Sequence, residues 1–298
     1  MDGIKKKLKQ TNHLLEACIV WFGLFLFKII GLKNSSNFTS FLARFIGKKL
    51  VVNNLAKDNI IKAFPDLNLN EVEHIIDGMW DNLGRIIGEF PFVSGFSHQK
   101  LANYVTLDEE SKKNIEYIKQ NFSGGIIFSA HTGNWEVGPK TLLMNGINAK
   151  VLYRPLNNIY VDAMTAKIRN VELIPKGSKG NKQIINEIKN GNYVIILADQ
   201  RITGGVLVPF LGRQALTTAS IAKLALKYNV PLIPARSIRV DKEFKFAVEV
   251  GKPIEFKKTA GINSDLVIDL TTKINITLEK WVTQYPAQWF WVHNRWKK

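Results

Sequence analysis

From position 108 to the C-terminus, short runs of branched and aromatic apolar residues alternate with helix-length polar stretches, and few folds accept that rhythm. The runs fall at 126–128, 151–153, 193–197, 230–234 and 244–250. Strands this short, each followed by a helix, predict an α/β domain built on a mostly parallel central sheet flanked by helices. A helix is also expected over 71–90, where Val72, Ile75, Ile76, Met79, Leu83, Ile86 and Ile87 share one face and Asn70 with Glu73 resembles a capping box. That helix reads as scaffold. No internal repeat, long low-complexity tract or Pro-rich linker divides residues 53–298, which are taken as a single domain.

Residues 1–52 are of another kind. Lys5, Lys6, Lys7 and Lys9 precede an uncharged apolar run over 17–27, which reaches about Leu32 if Lys28 snorkels. A small-x-small cleavage site is missing, so the segment reads as an uncleaved membrane anchor. The competing reading is a buried core helix, because the run falls short of the roughly 20 residues of a comfortable span. Next, Phe38, Phe41, Leu42, Phe45 and Ile46 recur at helical spacing among Arg44, Lys48 and Lys49, as in a helix lying in an anionic headgroup layer. The leading basic end places the N-terminus in the cytoplasm; the rest of the chain is cytoplasmic too if the segment lies in the interface or re-enters, whereas a full span would move it outside.

The charge narrows the partners. With 41 Lys and Arg against 25 Asp and Glu, the net charge of +16 favours an anionic membrane, an acidic protein or nucleic acid. The one cysteine, Cys18, excludes an internal disulfide. Histidines at 13, 74, 98, 131 and 293 show no metal-ligand spacing, so neither a metal nor another cofactor is expected.

In an open α/β sheet, ligands sit beyond the carboxyl ends of the strands. The stretch GGIIFSAHTGNWEVGPK, 124–140, puts His131 and Glu136 there, with the strand expected to end near Ser129 and the next helix to begin near Asn134 or Trp135. On one continuous helix, positions five apart point roughly 140° away from each other, but a turn at Gly133 lets them meet. A carboxylate on the imidazole N–H fixes the tautomer, so the other nitrogen can take a proton from a hydroxyl, a service worth about 10² to 10⁴ in rate. The bland alternative is a loop histidine beside a capping glutamate. A serine-hydrolase reading lacks a GxSxG elbow, and Ser129 lies on the strand.

The segment SAHTGNWE resembles the His-x4-acid signature of glycerolipid acyltransferases, and in its glutamate form is similar to the bacterial lipid A late acyltransferases, the lauroyl and myristoyl transferases. VLYRPLNN around Arg154, KIRNVELIPKG around Arg169, GNYVIILADQR around Asp199, GGVLVPFLGRQALTTASIAKLA and QYPAQWFWVHNRWK follow in that family's order, so the likeness covers essentially the whole chain. It implies a membrane-associated enzyme of the bacterial inner membrane, its site facing the cytoplasm. Such an enzyme moves a fatty acyl group from acyl carrier protein, or coenzyme A, to a hydroxyl of a lipid A precursor. It also implies His131 and Glu136 as the catalytic pair and Arg169 and Asp199 as residues important for activity. Arg169, and with less force Arg154, suits a phosphate, which guanidinium groups bind in two-pronged fashion. Asp199 suits a sugar hydroxyl or the orientation of an arginine.

Three weaker features stay open at this level. The stretch TGGVLVPFLG, 203–212, reads as a flexible cover for an acyl chain or as a buried hairpin. KGSKGNK, 176–182, lacks Walker spacing and reads as a solvated turn. The C-terminal WFWVHNRWKK mixes aromatics and cations in a way that suits a membrane interface or single-stranded nucleic acid. Two alternatives to the lipid A reading are an acyltransferase for another glycolipid, such as a phosphatidylinositol mannoside, and a basic membrane- or nucleic-acid-binding protein without catalysis. No recognised nucleic-acid motif supports the last, so nucleic acid is not an expected partner.

Overall fold

The structure, a computed structural model, describes residues 2–93, 95–257 and 263–296; the side chains of residues 2–7 and of His98 lie outside it. The basic cluster at Lys5, Lys6 and Lys7 and the last two lysines therefore fall outside the described side chains.

The chain runs α1 (Asp2–Gly47), α2 (Val51–Ala63), α3 (Leu69–Val93), α4 (His98–Ala102), β1 (Val105–Thr106), α5 (Glu109–Asn121), β2 (Gly125–Ser129), α6 (Val137–Met144), β3 (Ala149–Tyr153), α7 (Ile159–Arg169), β4 (Leu173–Pro175), α8 (Ser178–Lys189) and β5 (Tyr193–Leu197). It continues β6 (Val206–Phe210), β7 (Arg213–Thr217), α9 (Ser220–Tyr228), β8 (Leu232–Asp241), β9 (Lys245–Val250) and α10 (Ser264–Gln284), closing on a 3-10 turn at Pro286–Gln288.

Among the described residues, seven strands form one sheet in the order β1-β9-β8-β2-β5-β3-β4. Neighbours are parallel except β8 and β9, which form an antiparallel hairpin. Apolar side chains fill both faces with period two, as a sheet covered on both sides requires. Ile126, Phe128, Val194 and Ile196 pack under α8, α9 and α10. Ile127, Ile195, Ile233 and Val248 pack under α5 and α6.

The expected helix over 71–90 is α3, two residues longer at its start and three at its end. Its cap lies earlier than expected: the Asn68 side chain accepts from the Asn70 and Glu71 backbones, and Glu71 accepts from the Asn68 N–H. Ile87 departs from the expected buried face and is half exposed. The segment 203–212 enters the antiparallel pair β6–β7, with Val208 and Phe210 buried, so the hairpin reading holds and the flexible cover does not. Of KGSKGNK, Lys176 and Gly177 precede α8 and the remainder opens that helix, so only its start is a loop.

At the N-terminus, helical geometry breaks once, at Gly31 (φ 83°, ψ 165°), between the two segments the sequence separates. The first segment is not a core helix: Ile19, Trp21, Phe22 and Phe25 stay exposed, and a window of mean hydropathy 2.0 within Leu8–Gly47 is 6% buried. By length and composition this helix could cross a membrane. Beyond the break, buried Ser35, Ser36, Thr39 and Ser40 lie against α3. Contact there is so close that a Cβ added at Gly88 would sit 2.3 Å from Thr39 Oγ1, and Ser35 Oγ donates to the Gly88 carbonyl at 2.9 Å.

Candidate active site

His131 stands two residues past the end of β2, on a turn that packing allows only with glycine at 133. Gly133 has φ +53°, and a Cβ there would lie 2.3 Å from the Ser237 carbonyl. Its carbonyl accepts from Asn82 of α3 at 2.9 Å, and its N–H donates to the Gln288 carbonyl at 3.2 Å. The turn is thus held by the helix on one side and the C-terminal segment on the other.

The carboxylate on the imidazole is Asp199, not Glu136. Strand register explains this: β2 and β5 are parallel neighbours with Ser129 opposite Leu197, so two residues further on His131 and Asp199 stand side by side. Asp199 Oδ1 lies 2.8 Å from His131 Nδ1, and Oδ2 accepts from the His131 backbone N–H at 2.9 Å and the Trp289 indole at 2.8 Å. Burial by itself would raise the Asp199 carboxyl, but the adjacent imidazole and these hydrogen bonds outweigh it and hold the group at about 2. An ionised carboxylate only accepts, so Nδ1 carries the proton and Nε2 is left as the basic nitrogen.

Glu136 is engaged elsewhere. It is the N-cap residue of α6 but makes no side-chain cap bond, which sets aside the capping-glutamate reading. Both its oxygens accept from Arg169 at the end of α7, at 2.9 to 3.1 Å from Nε and 3.0 Å from Nη2. Neither partner is fully exposed, with side chains 13% and 23% accessible.

His131, Glu136, Arg169 and Arg154 line one cavity of about 1180 Å³ that opens at the carboxyl edge of the sheet. Arg154, just past β3, is exposed at this mouth, as are Lys176 and Lys223. Deeper walls are apolar: Ile127, Leu142, Val151 and Ile195 on one side of the sheet, and Ile184, Ile196, Ile221 and Leu224 on the other. Asp199, 2% exposed, supports His131 from behind. All five residues singled out in the sequence thus converge, though the pairings are His131 with Asp199 and Glu136 with Arg169.

The C-terminal aromatics require a correction. Trp289, Trp291, Trp296 and Arg295 are buried, so they present no surface to a membrane or to nucleic acid. Each indole N–H has an acceptor: Asp199, the Pro286 carbonyl and the Phe210 carbonyl respectively. The segment instead closes the site from behind, with Trp289 on Asp199 and His293 Nε2 accepting the Arg201 N–H at 2.8 Å. Sequence reasoning missed both residues, and their only signal was tryptophan density next to a histidine.

A mostly parallel sheet thus carries a carboxylate-bound histidine at its carboxyl edge, above a deep apolar cavity with a cationic mouth. The chain belongs to the bacterial lipid A biosynthesis acyltransferase family, whose model matches residues 4–298, and is an acyltransferase. Individually curated proteins give no significant match.

Proposed function

We propose that this enzyme transfers a fatty acyl group from acyl carrier protein, or acyl-coenzyme A, to a hydroxyl of a lipid A precursor at the membrane surface. His131 is the general base. The observation that carries the reading is the Asp199 carboxylate on Nδ1, which leaves Nε2 basic beside the cavity. Nε2 takes the acceptor hydroxyl proton as the oxygen attacks the thioester carbonyl. The tetrahedral intermediate then expels the thiolate, which regains a proton from the imidazolium. The acyl group passes directly from donor to acceptor.

Glu136 acts through Arg169. The two-pronged bond holds the guanidinium at the cavity mouth, where it and Arg154 face the phosphates of either substrate. The apolar walls take the acyl chain. The exposed apolar face of α1 attaches the enzyme to the bacterial inner membrane with the site on the cytoplasmic side. Transfer of a labelled acyl group to a Kdo-bearing lipid A precursor in detergent tests this. Wild type should transfer and His131→Ala should not, with rates compared per amount of folded enzyme. Transfer surviving in the variant would remove His131 from the chemistry, and transfer only to another glycolipid would change the acceptor.

A further inference from the structure

Glu89 is fully buried on α3, yet it faces an arginine. Arg239 of β8, 6% exposed in its side chain, meets it with two parallel bonds, Nη1 to Oε1 at 2.7 Å and Nη2 to Oε2 at 2.8 Å. Such a pair is a poor source of stability, because withdrawing two charges from water offsets much of their attraction. What it does hold is specific. Glu89 Oε2 accepts from Asn134 at 2.9 Å, and Oε1 accepts from Ser36 of α1 at 2.8 Å. Arg239 Nε donates to Asn82 at 3.0 Å, and Asn82 in turn donates to the Gly133 carbonyl. The Arg239 backbone exchanges two bonds with the Gln288 side chain, at 2.8 and 2.9 Å. Two consecutive residues of the His131 turn, Gly133 and Asn134, are therefore fastened to this ion pair, and so is the inner half of the N-terminal helix.

We infer that Glu89 and Arg239 are positioning residues for the transfer reaction: the pair fixes the turn that carries His131 and ties it, through Ser36, to the helix that meets the membrane. The inference rests on His131 being the base. It goes beyond that reading in making the seating of α1 on α3 a condition for a competent histidine.

The test uses the full chain, labelled acyl-carrier protein and lipid A precursor, with kcat, KM and melting temperature measured together. Arg239→Lys keeps the charge but loses the two-pronged bond. The double replacement Glu89→Leu with Arg239→Met removes both charges and leaves no orphaned ion, at the cost of one buried partner each for Ser36, Asn82 and Asn134, so its melting temperature is read alongside. Both should lower kcat about 10²-fold, the scale of a 1 Å misplacement of a catalytic group, with KM for each substrate within about threefold of wild type. Ser36→Ala, which removes the Ser36 bond to Glu89 and the longer 3.3 Å bond Ser36 accepts from Arg85, should lower kcat about threefold. Wild-type kcat in the double variant would overturn the proposal, as would losses that vanish once rates are divided by the amount of folded enzyme. Full activity in Ser36→Ala would overturn the link to α1. Failure of the underlying reading shows separately, as transfer by His131→Ala.

Discussion

Residue by residue, the site is a chain of support that ends on one imidazole nitrogen. Asp199 fixes His131, Trp289 fixes Asp199, and the Pro286–Gln288 turn anchors the segment that carries Trp289. Replacing Trp289 with Phe keeps most of the packing and removes the indole donor. Stability should fall by about 2 kcal/mol, the cost of a lost buried bond to a charged acceptor, and kcat should fall with it. Calorimetry and transfer assays on the same preparation check this. His293 supplies a pH dependence. Burial depresses it below its usual 6.5, and Arg295, His131 and Arg201 add to that effect against the opposing pull of Asp199. Its folded value lies below its unfolded value, so its contribution is complete above about 6.5 and is lost as pH falls through the folded value. Melting temperature should drop between pH 7 and pH 5, and less steeply in His293→Gln; equal slopes would refute the assignment. Residue pairings were the least legible part of the sequence. Glu136 is five positions from His131 and looks like its partner, whereas Asp199 lies 68 away and becomes adjacent only once β2 and β5 are known to be neighbours.

Among the elements, what could be read was what burial alone decides. β2, β3 and β5 lie where branched apolar runs predict them, because strands covered on both faces must be apolar throughout. The antiparallel β8–β9 hairpin was not legible, since burial does not encode strand direction. Nor was the role of α3. Its apolar face announces a scaffold helix, but the polar residues interrupting that face, Asn82, Arg85 and Glu89, are buried, and Asn82 and Glu89 reach the His131 turn. The break at Gly31 divides α1 into two separable pieces, one exposed and apolar and one docked on α3. A chain lacking residues 1–31 should fold and keep its melting temperature within a few degrees while losing most sedimentation with vesicles. A chain lacking 1–47 should be strongly destabilised, because Ser35, Ser36, Thr39 and Ser40 go with it and expose the glycine face of α3. Vesicle flotation and thermal melts separate the two outcomes; equal melting temperatures would contradict the docking role.

Considered whole, the molecule sets an exposed apolar helix and a cationic cavity mouth on one basic chain with net charge +16. Apolar insertion resists salt while attraction to anionic headgroups is screened beyond about 10 Å at 0.1 M. Binding to anionic vesicles should therefore weaken with salt but not vanish, and most of the salt-resistant part should be lost in the chain lacking 1–31, where Phe38, Phe41 and Phe45 remain exposed. In the proposed mechanism Asp199 holds the proton on Nδ1 of His131 and leaves Nε2 to accept one, while Glu136 serves the cavity mouth through Arg169. The most direct test compares steady-state transfer by Asp199→Asn and Glu136→Gln. Asp199→Asn should lower kcat by about 10² to 10⁴ with little change in KM, because the wrong tautomer is favoured. Glu136→Gln should act at least as strongly on KM as on kcat. The reverse pattern, with kcat collapsing in Glu136→Gln and surviving in Asp199→Asn, would contradict the account.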